Sequence, residues 1–219
     1  MPRMLIETAR LLLRNLVPED IPDLVQMWTD VEVTRFLGGP RQAGWLEANF
    51  AEEARAADPP LYDQWPVIEK ASGKLVGYCG LIDKEIEGRA EIELVYAFLP
   101  SAWGKGYASE IARALREHGV QRLRLPRLVA LIEPENQASV HVAEAAGFHF
   151  ERSVRRPAGL MHLYVHEPPH AAAHAGQKEQ RMSVKHAHEV PASKVAAGQD
   201  TTIQVLISAQ EGPNFALRR

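Results

Sequence analysis

Leu99-Pro100-Ser101-Ala102-Trp103-Gly104-Lys105-Gly106-Tyr107-Ala108-Ser109-Glu110-Ile111-Ala112-Arg113 closes an apolar, strand-like stretch and opens a helix-like one, with two glycines one residue apart at the junction. Glycine lacks Cβ, so its backbone adopts left-handed angles and approaches a ligand closely. The N–H groups of a first helical turn have no intrahelical partner, and the positive end of the helix dipole lies behind them. This is the grammar of an anion-binding turn, suited to a phosphate or pyrophosphate. Lys105 adds a mobile positive charge. A plain strand-to-helix connection uses the same glycines, so the segment alone leaves both readings open.

Composition bounds the answer. A chain of 219 residues suits one α/β domain with room for a linker or small appendage. Hydrophobic residues at 46% and charged residues at 24% provide for a packed core. A net charge of -3 argues against a nucleic-acid surface. The single cysteine, Cys79, lies in an apolar strand pattern, reads as core and fits a reducing compartment. No apolar run approaches the ~20 residues of a membrane span, and Met1–Asp20 carries too many charges for a signal peptide. The expectation is a cytoplasmic protein without membrane or nucleic-acid partners.

Strand and helix patterns alternate to about residue 166. Leu5–Leu16 reads as one strand, and Pro18-Glu19-Asp20 begins a helix to about Trp28. A second helix spans Arg41–Ala57. Trp65–Glu69 and Lys74–Ile82 form a hairpin across Ala71-Ser72-Gly73. Ala90–Leu99 is a strand, Gly106–His118 a helix, and Leu128–Ile132 a short strand apolar on both faces. Asn136–Ala146 is helical with Gly147 as its cap, and Phe148–Val154 with Leu160–Val165 close as an antiparallel pair.

The second decisive segment runs Ile132-Glu133-Pro134-Glu135-Asn136-Gln137-Ala138-Ser139 and on to Gly147-Phe148. A strand ending in Pro-Glu-Asn-x-x-Ser and a helix ending in Gly-Phe, following a Trp-Gly-Lys-Gly-Tyr-Ala turn, resemble the GNAT superfamily of acetyl-CoA-dependent N-acetyltransferases. Glu7-Thr8-Ala9-Arg10-Leu11-Leu12-Leu13-Arg14 and Ala108-Ser109-Glu110 are similar to motifs of its RimJ/RimL-like subgroup. The resemblance covers residues 1–166. It implies a mixed α/β fold whose mostly antiparallel sheet has a bulged strand, here Ala90–Leu99, splayed from Leu128–Ile132. It also implies acetyl-CoA as cosubstrate and leaves a homodimer open.

By the same resemblance, Trp103, Gly104, Lys105, Gly106, Tyr107 and Ala108 bind the coenzyme A pyrophosphate, while Asn136 and Ser139 face its pantetheine and thiol end. Trp103 replaces the usual Gln or Arg. The family's tyrosine acid would fall at Ala143 and is missing, which makes Ser139 the substitute proton donor, acting through water. Ser139 also suits a plain first-turn residue that satisfies a free N–H. Glu91 and Glu93, two apart in a strand, share a face where an amine would enter. Flanked by apolar residues, Glu93 is the favoured base, since burial would raise its pKa. The other reading of both is a solvated strand face. No metal is implied: His166, His170 and His174 have helical spacing, but Pro168 and Pro169 break the helix.

The expected acceptor is a primary amine, either a protein N-terminus or a small molecule. Thr34–Gly39 and the Arg155–His162 hairpin are the segments expected to contact it. A non-catalytic acyl-CoA sensor is the competing class. Residues 167–183 read as a Pro- and Ala-rich linker, and 184–219 resemble the incomplete start of a cupin domain.

Overall fold

The computed structural model of the chain describes residues 4–56, 60–157 and 159–168. Eight strands form one sheet: β1 (Met4–Glu7), β2 (Leu11–Arg14), β3 (Gln64–Glu69), β4 (Leu75–Ile86), β5 (Arg89–Phe98), β6 (Leu128–Ile132), β7 (His149–Arg156) and β8 (Gly159–His166). The spatial order is β1-β2-β3-β4-β5-β6-β8-β7. Every neighbouring pair is antiparallel except β5 with β6. The helices are α1 (Ile21–Thr29), the single turn α2 (Val31–Thr34), α3 (Ala43–Arg55), α4 (Tyr107–Glu117) and α5 (Gln137–Ala145).

Pleating sorts the core onto two faces. Leu94 and Phe98 of β5 join a cluster with Ile111 and Leu115 of α4 and Val140 and Ala143 of α5. Ala97, of opposite parity, joins Leu24, Met27 and Trp28 of α1 and Leu46 and Phe50 of α3. Cys79 is fully buried in the first cluster, and burial pushes its thiol pKa well up. Among the described residues no helix is long and apolar enough to cross a membrane.

Four expectations need correction. Leu5–Leu16 is two strands, because Thr8 turns the chain. Its backbone N–H donates to the Leu11 carbonyl at 2.9 Å, and its hydroxyl accepts from the Leu11 N–H. The segment after α1 holds the extra turn α2, started by the Asp30 carboxylate accepting from the N–H groups of Glu32 and Val33. The second expected helix is shorter, Ala43–Arg55, and Leu46 and Phe50 are its buried anchors. The bulge expected in β5 is absent on its β4 side, where pairing runs unbroken from Gly77 with Phe98 to Ile86 with Arg89. The tight turn Glu87-Gly88, both at positive φ, sets that register.

Candidate active site

The glycine turn adopts the backbone its residues allow. Gly104 and Gly106 stand at φ +72° and +75°, and Gly106 is the N-cap of α4. The Glu110 N–H donates to the Gly106 carbonyl at 3.1 Å. The N–H groups of Tyr107, Ala108 and Ser109 lie ahead of that bond, at the dipole's positive end. Nothing lies within 4 Å of a Cβ built on Gly104, so the approach there is open.

Side chains around the turn are tied down. The Trp103 indole N–H donates to the Phe98 carbonyl at 2.8 Å, which leaves half of the ring exposed. Tyr107 is buried and its hydroxyl donates to Glu69, so Tyr107 offers an anion only its backbone. Lys105 is less free than its sequence suggests, with its ammonium 3.8 Å from the Glu69 carboxylate. Hydrogen bonds from Ser72 and Tyr107 hold that carboxyl below its ordinary pKa. Arg10 braces the turn from behind: it donates to the Lys105 carbonyl at 2.9 Å, to Glu110 at 2.7 Å, and stacks over the Tyr107 ring.

β5 and β6 pair in register only at Glu93 with Val129, so their carboxyl-terminal halves diverge. The wedge is clamped at its closed end by Arg127, which meets Glu91 of β5 at 3.2 Å, Glu151 of β7 at 2.6 Å and Glu167 at 2.8 Å. Glu91 is buried and also meets Arg89 at 3.1 Å, so it is a structural carboxylate rather than a solvated one. Glu93 is equally buried, at 5% exposure, and sits at the start of the divergence. One of its oxygens accepts from the Leu131 N–H at 3.3 Å; the other makes no hydrogen bond among the described residues and lies 3.5 Å from the Lys84 ammonium. Burial raises the Glu93 pKa, against the opposing pull of Lys84. A buried carboxyl with a spare acceptor and a raised pKa suits a general base.

On the other face of the gap stands α5. Asn136 caps it, its side-chain oxygen accepting from the Ser139 N–H at 3.1 Å. Capping therefore falls to Asn136, and Ser139 supplies the donor. The Tyr96 hydroxyl donates to the Ser139 carbonyl at 3.0 Å, tying β5 to the helix start across the opening, and burial pushes its pKa up. Ala143 is fully buried. Glu93, of opposite parity to Leu94 and Phe98, points away from the sheet face that α5 covers, so the structure does not bring Glu93 and Ser139 into contact.

The GNAT acetyltransferase domain model matches residues 10–149, which contain the turn, the wedge and α5. The chain belongs to the GNAT family. It is 33% identical over 158 residues to the uncharacterized N-acetyltransferase p20 of Bacillus licheniformis, covering 68% of this chain and 84% of that protein. With the uncharacterized protein YkkB of Bacillus subtilis identity is 37% over 92 residues, 42% of this chain and 54% of that protein. The chain thus spans about half the length of YkkB. A solved structure of a Vibrio cholerae spermidine N-acetyltransferase, in complex with coenzyme A and spermine, superposes with a TM-score of 0.61 at 18% identity, covering 73% of this chain and 96% of that one.

Of the segments expected to contact the acceptor in this GNAT domain, Thr34 is buried and its hydroxyl donates to the Asp30 carbonyl. Arg41 knots the loop that follows, donating to the carbonyls of Leu37 at 2.8 Å and Gly39 at 2.6 Å. Arg35 and Phe36 stack on each other. The Arg155–His162 hairpin joins β7 to β8 at the sheet edge. No group of three or more metal-ligating side chains occurs among the described residues, and His170 and His174 lie outside them. Sequence reasoning missed Arg10, Glu69, Lys84, Tyr96 and Arg127. Arg10 and Glu110 both stand in quoted motifs, but only the fold joins residues 100 apart.

Proposed function

We propose that the chain is an acetyl-CoA-dependent N-acetyltransferase that moves an acetyl group to a primary amine by direct attack in a ternary complex. The observation that carries this reading is the pair of features at one end of the sheet: a left-handed glycine turn capping α4, and a parallel strand pair that opens just beyond a buried carboxylate. The pyrophosphate rests on the backbone of Trp103–Ala108, with Lys105 released from Glu69 to meet it. The pantetheine arm pairs with the backbone of β5 beyond Glu93, as an added strand would. Asn136 and Ser139 line its thiol end.

The amine enters as the free base, its ammonium proton left to solvent, and Glu93 takes the second proton as attack proceeds, through the oxygen that meets the Leu131 N–H on the gap side. The nitrogen lone pair attacks the thioester carbonyl carbon, the C–N bond forms and the C–S bond breaks. The departing thiolate takes a proton from water held by the Ser139 hydroxyl, and the hydroxide left behind is neutralised by the proton Glu93 gives up to solvent, which restores water and carboxylate. A free backbone N–H in the gap polarises the carbonyl. The acceptor, a small-molecule amine or a protein N-terminus, enters on the Glu93 face.

Thiol release from acetyl-CoA tests this, with spermidine and an N-terminally free peptide as amines. Turnover is expected with at least one, falling as pH drops through the raised Glu93 value, because only the deprotonated carboxylate accepts a proton. Glu93→Gln should lower kcat by about 100-fold, the scale of general-base loss, with acetyl-CoA affinity kept. Parental turnover and pH profile in folded Glu93→Gln would remove Glu93 from the chemistry. Acetyl-CoA binding without thiol release for any amine would instead favour a sensor.

A further inference from the structure

Lys84 lies on β4, two positions from Ile82, the residue that pairs with Glu93. Its ammonium stands 3.5 Å from the spare oxygen of Glu93, and the two side chains are only 11% and 7% exposed. At that distance the two form a buried ion pair, and that oxygen makes no shorter hydrogen bond among the described residues. A buried ion pair is a weak device for stability, because an apolar pair of similar volume commonly does as well. One placed where β5 and β6 part, with its carboxylate only half satisfied, calls for another explanation. The alternative use of a nearby opposite charge is to set the charge state and direction of the carboxylate.

We propose that Lys84 is a positioning residue for the transfer reaction, holding the Glu93 carboxylate in its charged form and, by drawing one oxygen toward β4, keeping the other beside the Leu131 N–H at the gap. The proposal rests on the reading of Glu93 as base. The groups that face Glu93 are few. Lys84 comes from β4, the Leu131 N–H from β6, and the more distant Arg156 from β7. Glu91, two residues before it on the same face of β5, is occupied by Arg127 and Arg89. Tyr96, further along β5, is neutral. Burial favours the protonated acid, and Lys84 is the strongest of the opposing influences. An unopposed Glu93 would stay protonated over more of the pH range and could not take up the amine proton there.

The test titrates the Glu93 carboxyl by NMR in protein carrying 13C-labelled glutamate, the resonance being identified by its absence in Glu93→Gln. It is joined to the pH profile of kcat/KM for thiol release with spermidine or the N-terminally free peptide. In Lys84→Met the Glu93 midpoint should rise by about one pH unit or more, and the acidic limb of the profile should move with it. Lys84→Arg should leave both near the parent. Should Lys84→Met fail to fold, Lys84→Gln makes the same comparison. An unmoved midpoint, or a moved midpoint with an unmoved acidic limb, overturns the proposal. A purely structural Lys84 would lower the melting temperature and leave both untouched. Failure of the underlying reading is recognised separately, by a parental acidic limb in Glu93→Gln.

Discussion

At position 106 the backbone stands at φ +75°, and a Cβ there would come within 3.6 Å of the Arg10 guanidinium. Left-handed angles cost other residues about 1–2 kcal/mol, less for Asp than for most. Gly106→Asp should therefore fold, slightly destabilised, while placing a negative charge where an anion is to land. Calorimetry should show acetyl-CoA affinity reduced by 10-fold or more, against the roughly 0.3–1 kcal/mol that one dipole contact supplies. Unchanged affinity would detach the turn from the cofactor. This residue was legible in the sequence because a glycine states its own conformational freedom. The burial of Glu93 was legible too, from its apolar neighbours. Its partner Lys84 was not, because nothing local couples residues nine apart; the hairpin register does.

Strands and helices were legible wherever period and punctuation agreed. The β3–β4 hairpin, β6, and α5 between Asn136 and Gly147 fall close to where their sequences place them. The apolar run from Leu5 misled, since Thr8-Ala9-Arg10 carries no glycine or proline to announce its turn. The splay was legible only through the family resemblance, because it depends on where the β5–β6 pairing stops, which no local residue states. Arg127 controls that closed end, as the shared partner of carboxylates on β5, β7 and the segment after β8. Arg127→Met should leave Glu91 buried with the exposed Arg89 as its remaining ion-pair partner among the described residues. Stranding a buried charge costs about 3 kcal/mol. Thermal denaturation should show a drop of several degrees. An unchanged melting curve would show that the wedge is held otherwise.

For the whole molecule, we propose that residues 1–166 form the acetyltransferase domain, 167–183 a linker, and 184–219 a cupin-like tail that the domain does not need. Residues 169–219 lie outside those described. The last strand ends at His166, and Glu167 still contacts Arg127, so a cut belongs after Pro168. The shortened chain should keep its melting temperature within a few degrees and bind acetyl-CoA as the full chain does. Aggregation or a large drop would mean that the tail covers a sheet edge, and the independent-tail assignment would fall.

The most direct measurement is a crystal structure of the full chain with coenzyme A. The expected result has the pyrophosphate on the N–H groups of the Gly104–Ala108 turn and the pantetheine between β5 and β6. The sulfur would then lie within reach of Ser139 on one face and Glu93 on the other. Coenzyme A bound elsewhere, or a gap closed by continued β5–β6 pairing, would contradict it.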